Sequence, residues 1–271
     1  MDETTIEAAG STPIQPMLAR IAALKTPADI AQYLRDEFAA GRGEVFSFGP
    51  EADFKNSSQK IGYAFQGGLS LPEKAYYLED GPDGKYKAIR EAFVKHVSKQ
   101  LQNAGVAAAD ADAQAADVLA FETRLAKASL SPIDLRNPEN QYHYVSVADA
   151  DKASPNFKWS EFFKANGVQA EGFSLSQPAF FAEFDRMLAD VPVAQWQAYL
   201  RINAIDGMAP YLADKFNDER FDFYARTLRG QKDQKPRWKR VMDTVENTAG
   251  EALGQLYVKQ YFPAESKAAM E

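Results

Sequence analysis

The stretch Pro236–Phe262, PRWKRVMDTVENTAGEALGQLYVKQYF, predicts one long uninterrupted helix. Apolar or small residues recur along it in steps of three and four, which gives a helix a continuous apolar stripe. The stripe comprises Trp238, Val241, Met242, Val245, Ala249, Ala252, Leu253 and Leu256. Pro236 suits the first turn of a helix, and Pro263 marks its end. At about 1.5 Å per residue such a helix is about 40 Å long, so we expect the other helices to pack around it as a central core element.

The second half of this helix carries a second apolar face, formed by Gly250, Gly254, Tyr257, Val258 and Tyr261. A glycine inside a helix costs about 1 kcal/mol relative to alanine. The two glycines therefore predict that a neighbouring backbone approaches the helix closely at this point.

Composition excludes several classes of protein. The chain has 271 residues, of which 45% are apolar and 25% are charged, and this balance is typical of a folded globular protein. Its net charge of −7, without any run of basic residues, argues against binding to nucleic acids or anionic membranes. There is no cysteine, so disulfides, thiol catalysis and thiolate metal sites are excluded. The sequence contains neither a membrane-length apolar run nor a signal peptide, since its first ten residues are acidic.

The rest of the chain indicates a mainly α fold. Helical spacing dominates, except near residues 44–68, where two short runs of alternating residues flank a polar turn and predict a β-hairpin. We expect this hairpin to be the only appreciable sheet, and residues 132–172 to be the most irregular part. We predict a single helical module over residues 1–271, with N-terminal helices and the hairpin in 1–70 and a helical body in 71–271.

Motifs for catalysis are missing from the sequence. Zinc hydrolases of helical type use two histidines one turn apart, as in HExxH, but His96 and His143 lie far apart. We interpret His96 as a solvated side chain on a helix face, and His143 as part of loop packing. GxSxG and glycine-rich phosphate-binding motifs are also absent. The sequence therefore predicts no catalytic residue, no metal ligand and no cofactor in this chain.

Two carboxylates lie among apolar neighbours. Glu122 and Glu251 fall near the core-facing sides of their helices, and a buried carboxylate needs a cation or several hydrogen-bond donors. We favour structural ion pairs over catalysis, with the arginines Arg124, Arg136, Arg201 and Arg237 as candidate partners. The polar turn 53–58 of the hairpin is equally compatible with a solvent-facing tip and with a substrate contact.

A series of motifs, in order along nearly the whole chain, resembles the neprilysin family of zinc metallopeptidases, the M13 type that includes bacterial oligopeptidases similar to PepO. The motifs include Asp53-x-Lys55-Asn56-Ser57, Gln66-Gly67-Gly68-Leu69, Phe121-Glu122-Thr123-Arg124, Arg136-Asn137-Pro138, Pro236-Arg237-Trp238 and Gly250-Glu251-Ala252-Leu253-Gly254.

The resemblance implies a helical segment that faces a catalytic domain across a closed chamber and acts as a lid or size filter for peptides. In that family an HExxH helix and a later glutamate hold the zinc in the catalytic domain, which is predicted to be absent from this chain. The partners implied are that domain of the same parent protein and peptide substrates. We place the hairpin nearest the chamber because it has a polar tip on an otherwise apolar ribbon, and predict substrate contacts at Asp53, Lys55, Asn56, Ser57 and Gln66. From the ion-pair argument above we predict structural polar roles for Glu122, Arg136, Arg237 and Glu251.

The lack of cysteine fits bacterial members of the family, and the resemblance then implies an extracytoplasmic location, periplasmic or secreted. Two alternatives remain open: a stand-alone helical binding or scaffold module, and a hydrolase that uses scattered acidic residues. An in-frame HExxH after Glu271 would distinguish the peptidase segment from the stand-alone module.

Overall fold

The computed structural model describes residues 2–262 and 264–270. It is mainly helical with a small four-stranded sheet, which confirms the predicted fold class. The helices are α1 (Glu3–Ala9), α2 (Gln15–Ala22), α3 (Pro27–Ala39), α4 (Ala75–Leu78), α5 (Lys85–Asn103), α6 (Ala108–Ala128), α7 (Val147–Ala153), α8 (Trp159–Ala165), α9 (Pro178–Asp190), α10 (Val193–Met208), α11 (Asp214–Arg220), α12 (Arg237–Tyr261) and α13 (Ala264–Ala268). A π-helical turn, Phe221–Thr227, follows α11 directly.

Local sequence explains where helices begin. At the start of α3 the hydroxyl of Thr26 accepts a hydrogen bond from the Asp29 backbone, and the Asp29 carboxylate accepts one from the Thr26 backbone. This reciprocal pair satisfies two backbone donors that a helix end leaves free, and Pro27 occupies the first helical position.

The predicted hairpin is present as β1 (Phe46–Asp53) and β2 (Asn56–Gln66), which pair antiparallel. It is not the whole sheet, however. Two short strands, β3 (Tyr144–Ser146) and β4 (Gly172–Leu175), extend it in the order β1-β2-β4-β3, with β4 parallel to β2. Both lie in or beside the region predicted to be irregular, because strands of three or four residues are too short to show an alternating pattern.

An aromatic core joins the sheet to the helices. Phe46 on β1 lies at its centre, with ring centroids 5.3 Å from Trp159 on α8 and 5.7 Å from Phe181 on α9. A second cluster lies between α6 and α10, where Phe121 stacks on Tyr199 at 4.2 Å and meets Trp196 edge-on at 4.6 Å. Burial of these rings contributes the largest apolar areas of the fold.

The long C-terminal helix is present, but the prediction that it is a core element is wrong. Within α12 only Arg237 is buried, whereas Trp238 is 57% exposed and Leu256 is 65% exposed. The helix also bends at Ala249, whose backbone angles are not helical. An apolar stripe shows that a helix has a face to bury, but it does not identify the element that covers that face. The predicted stop, Pro263, lies outside the described residues.

The expectation of a close backbone approach at the two glycines is likewise not met within the described chain. A Cβ atom added at Gly250 or Gly254 would meet nothing within 4 Å. None of the described helices combines the length and the apolarity needed to cross a lipid bilayer.

Candidate functional site

One buried carboxylate, that of Glu122, anchors the loop that follows β2. Glu122 on α6 is fully buried and accepts hydrogen bonds from the backbone and the hydroxyl of Ser70, at 2.9 and 2.7 Å. It accepts a third from the hydroxyl of Tyr77, at 2.5 Å. The prediction that Glu122 pairs with an arginine is therefore wrong, because neutral hydrogen-bond donors surround its carboxylate instead. Burial raises the pKa of Glu122 to about 7, although these hydrogen bonds favour the ionised form.

Above this anchor the loop borders a polar pocket of about 280 Å³. The pocket lies between the loop, helix α10 and the π-helical turn, and Glu44, Ser70, Asn203, Asp206, Arg220 and Tyr224 line it. Gly68 has a φ of +77°, and a Cβ there would lie 2.8 Å from the Tyr199 hydroxyl. That hydroxyl donates to the carbonyl oxygens of Glu44 and Gly68, at 2.9 and 3.0 Å. Glycine at this position therefore lets the loop close one wall of the pocket.

His96 lies next to this pocket. Its side chain is not solvated, so the prediction of a solvated side chain on a helix face is wrong. It is buried, with Nε2 2.9 Å from Asp206 and Nδ1 3.2 Å from Glu219. Asp206 also accepts hydrogen bonds from Tyr224 at 3.1 Å and from Gln100 at 3.0 Å. Burial alone lowers the pKa of His96, but the two carboxylates outweigh it and raise the pKa to about 9. His96 and Asp206 thus form a charged pair in the interior.

His143 also differs from expectation, since its side chain is exposed rather than packed in a loop. Its backbone extends the strand pairing, with its carbonyl accepting a hydrogen bond from Leu175 at 2.9 Å.

Four of the five predicted substrate contacts lie at the hairpin tip: Asp53, Lys55, Asn56 and Ser57. The Lys55 backbone donates to the Asp53 carboxylate at 2.8 Å, and the Lys55 ammonium lies 5.0 Å from the centre of the Tyr142 ring. Gln66 does not join them, because it lies at the opposite end of β2. Its side-chain amide donates to and accepts from the backbone of Leu130, at 3.0 and 2.8 Å.

The remaining residues with predicted structural polar roles lie in different environments. Arg237 is buried and its guanidinium lies 2.9 Å from Glu7. Arg136 and Glu251 are exposed, so the core-facing position expected for Glu251 is wrong. The other two arginines considered as partners bind elsewhere: Arg124 pairs with Glu183 and Asp190, and Arg201 donates to Gln114.

Sequence reasoning missed Glu44, Asp206 and Arg220 as pocket residues. One signal was available for Asp206, which is the single carboxylate of α10 and directly follows Ile205. Glu44 and Arg220 carried no such signal. In an irregular or polar stretch of sequence, a charged residue that will be buried cannot be distinguished from one that will be exposed.

The arrangement does not fit a zinc site. Across residues 2–262 and 264–270 no group of three or more histidine, aspartate or glutamate side chains is placed to hold a metal ion. A catalytic zinc site requires three protein ligands and an open position.

The fold combines a helical body, a small sheet and a long, largely exposed helix α12, and it matches a known class of protein. Residues 1–271 match the N-terminal model of peptidase family M13, and the chain belongs to that family. The predicted relationship to neprilysin-like peptidases is thereby confirmed.

Individual relatives show the extent of the similarity. The chain is 28% identical to neprilysin-3 of Drosophila melanogaster, over 84% of this chain and 30% of the relative. It is 24% identical to human endothelin-converting enzyme 1, over 98% of this chain and 36% of the relative. The chain thus spans about a third of these relatives.

Solved structures have the same fold. The zinc metalloprotease Zmp1 of Mycobacterium tuberculosis, in its open state, superimposes with a TM-score of 0.87 at 29% identity, over 99% of this chain and 42% of that one. PepO of Lactobacillus rhamnosis, at 21% identity, has the same fold with a TM-score of 0.82, over 99% and 42% of the two chains.

Proposed function

We propose that this chain is the helical wall of the substrate chamber in a zinc metalloendopeptidase of the M13 family, where it acts as a lid and size filter for peptides. In this proposal the zinc and the catalytic side chains belong to another part of the same polypeptide. The chain alone hydrolyses no peptide bond. The observation that carries the proposal is the match of the whole chain to a family whose compared members are more than twice as long.

The exposed apolar surface of α12 indicates that a partner binds there. Trp238, Met242 and Leu256, all on the predicted apolar stripe, are 57%, 43% and 65% exposed, and contiguous exposed apolar surface marks interaction sites. Because much of each relative lies outside the matched region, the catalytic domain of the same polypeptide is the partner we propose for this face.

The hairpin tip is the part proposed to lie nearest the peptide. Asp53 and Lys55 offer opposite charges at an exposed turn, beside the half-exposed ring of Phe54. A peptide backbone and its side chains can bind to such a mixture of charge and aromatic surface. Gln66 is a weaker candidate, because the Leu130 backbone already occupies its amide.

The proposal includes a single module over residues 1–271 and a bacterial, extracytoplasmic parent protein, periplasmic or secreted. The helical body would exclude bulky folded substrates, while short peptides would pass to the metal. Water activated by zinc and a glutamate in the catalytic domain would then cleave the peptide bond.

The test compares the chain alone with the chain joined to a catalytic domain of the family. The chain alone should retain no zinc after dialysis and cleave no peptide, and the joined protein should cleave short peptides but not folded proteins. Turnover by the pure, metal-free chain would overturn the proposal. A stop codon directly after Glu271, with no association with the catalytic domain in trans, would favour a stand-alone binding or scaffold module.

A further inference from the structure

Two opposite charges share the polar pocket without pairing with each other. Glu44 and Arg220 both line it, yet within the described chain they form no ion pair. The Glu44 carboxylate is partly buried, and its hydrogen-bond partner is the neutral side chain of Asn203. Arg42 is the nearby cation that acts on Glu44, but it pairs with Glu37. A partly buried carboxylate without an ion pair of its own is costly, so it favours a cationic ligand.

Arg220 is the complementary group. Its guanidinium lies over the ring of Tyr224, 5.4 Å from the ring centre. Its Nε atom is buried and has no hydrogen-bond partner in the part of the chain that the structure describes. Guanidinium groups bind carboxylates through two parallel hydrogen bonds, and because Nε is closed to solvent the terminal nitrogens of Arg220 are the donors for a ligand carboxylate.

The other acidic groups near the pocket are already satisfied. Asp206 accepts hydrogen bonds from Tyr224 and Gln100 and pairs with His96. Glu122, beneath the loop, accepts three hydrogen bonds from Ser70 and Tyr77. Glu44 and Arg220 are therefore the charges that remain available to a ligand.

We propose that this pocket binds a small zwitterion, a free α-amino acid, with its ammonium group at Glu44 and its carboxylate at Arg220. The pocket volume of about 280 Å³ lies just below the usual range for drug-sized ligands, which suits a molecule of this size. A ligand with a single charge would leave either Glu44 or Arg220 without a partner. The cost of that unpaired charge makes the pocket selective for a zwitterion over singly charged ligands. The inference goes beyond the proposed chamber function and does not rest on it.

A pH signature accompanies the proposal. Burial and the nearby Glu37 carboxylate raise the pKa of Glu44 to about 7, while Asn203 and Arg42 oppose the rise. Arg220, Asp206 and Tyr224 face the same pocket. An ammonium ligand requires the ionised Glu44, so affinity should weaken as the pH falls below 7.

Isothermal titration of the pure chain with glycine, acetate and methylammonium tests the proposal. Glycine should bind saturably at pH 8, and each singly charged compound should bind at least about tenfold more weakly. Glu44→Gln and Arg220→Gln should each weaken glycine binding by a similar factor. The exposed-site controls Glu139→Gln and Arg136→Gln should leave binding unchanged.

Near-UV circular dichroism verifies that each variant remains folded. Equal affinity for acetate would make the pocket a simple anion site, and equal affinity for methylammonium a simple cation site; either result overturns the proposal. Absence of saturable glycine binding to the folded wild-type chain would overturn it directly.

Discussion

Arg237 lies 2.9 Å from Glu7, so the first residue of the last long helix is tied to the first helix of the chain. The same guanidinium pairs with Asp214 and donates to the Leu212 carbonyl at 3.0 Å. One buried cation therefore fixes the start of α12 to the helical body, while most of α12 beyond it is solvent-exposed.

Arg237→Ala should lower the free energy of unfolding by about 3 kcal/mol, because it removes a buried cation from two carboxylates and a carbonyl. Lys235→Ala is the matched control, since Lys235 pairs with Asp243 at the surface and such pairs contribute about 0–1 kcal/mol. Urea denaturation measures both. Equal effects of the two substitutions would contradict an anchoring role for Arg237.

His96 should make stability depend on alkaline pH. Its folded pKa of about 9 lies above the ordinary value of 6.5, so the folded state holds the proton more tightly than the unfolded state. The resulting stabilisation, on the order of 3 kcal/mol, is complete below pH 6.5 and disappears as the pH rises through 9.

His96→Gln should therefore destabilise the protein at pH 6 and flatten its stability profile between pH 6.5 and 9. His143→Gln, at an exposed position, is the control and should preserve the profile. Thermal unfolding at several pH values measures both. A wild-type melting temperature that is constant over this range would show that His96 does not titrate as argued.

Glu122 should give a dependence of the same sign as His96, at lower pH. Its folded pKa of about 7 exceeds the ordinary 4.5, so the folded state retains a proton that the unfolded state releases. The contribution to stability falls as the pH rises from 4.5 to 7, by about 3 kcal/mol in total.

Glu122→Gln should remove this loss. A glutamine can accept from Ser70 and Tyr77 through its oxygen and donate to the Ser70 hydroxyl through its nitrogen, so the contacts are kept without a buried charge. Relative to wild type, the variant should gain stability between pH 5 and pH 8, as measured by denaturant unfolding. Glu251→Gln, at an exposed position, should change nothing; a variant that loses stability equally at both pH values would refute the argument.

These cases show what the sequence could predict. Helix periodicity and turn chemistry are local, so the mainly α class, the hairpin and the capping of α3 by Thr26 were predictable. The burial of His96 could not be predicted from its helical neighbours, because they differ among themselves. Lys99, three residues away, is exposed, whereas Phe93 and Gln100, three and four residues away, are both buried.

Contacts between distant segments were not predictable. Glu122 is satisfied by Ser70, which is 52 residues away, and no pattern within α6 reveals that partner. The polar pocket likewise combines Glu44, Asp206 and Arg220 from three separate segments. Motif resemblance identified the family, because it depends on the order of residues rather than on their contacts.

The hairpin tip should influence peptide binding in the complete enzyme. Asp53→Asn combined with Lys55→Ala removes both charges from the tip, and we expect KM for short peptides to rise several-fold with kcat little changed, because the tip would bind substrate without touching the reacting atoms. Lys60→Ala, on the exposed part of β2, is the control. Unaltered KM values in the double variant would exclude the tip as a substrate contact.

The exposed face of α12 should affect assembly but not the stability of this chain. Leu256→Glu places a charge on a 65% exposed apolar residue, so unfolding of the isolated chain should change by less than about 0.5 kcal/mol. Association with the catalytic domain in trans should weaken at least about tenfold, because a buried, unpaired carboxylate opposes docking. Gln255→Glu adds the same charge to the adjacent exposed position outside the apolar stripe, and we expect it to bind normally. Surface plasmon resonance distinguishes the two variants; equal affinities would mean that the partner covers a different surface.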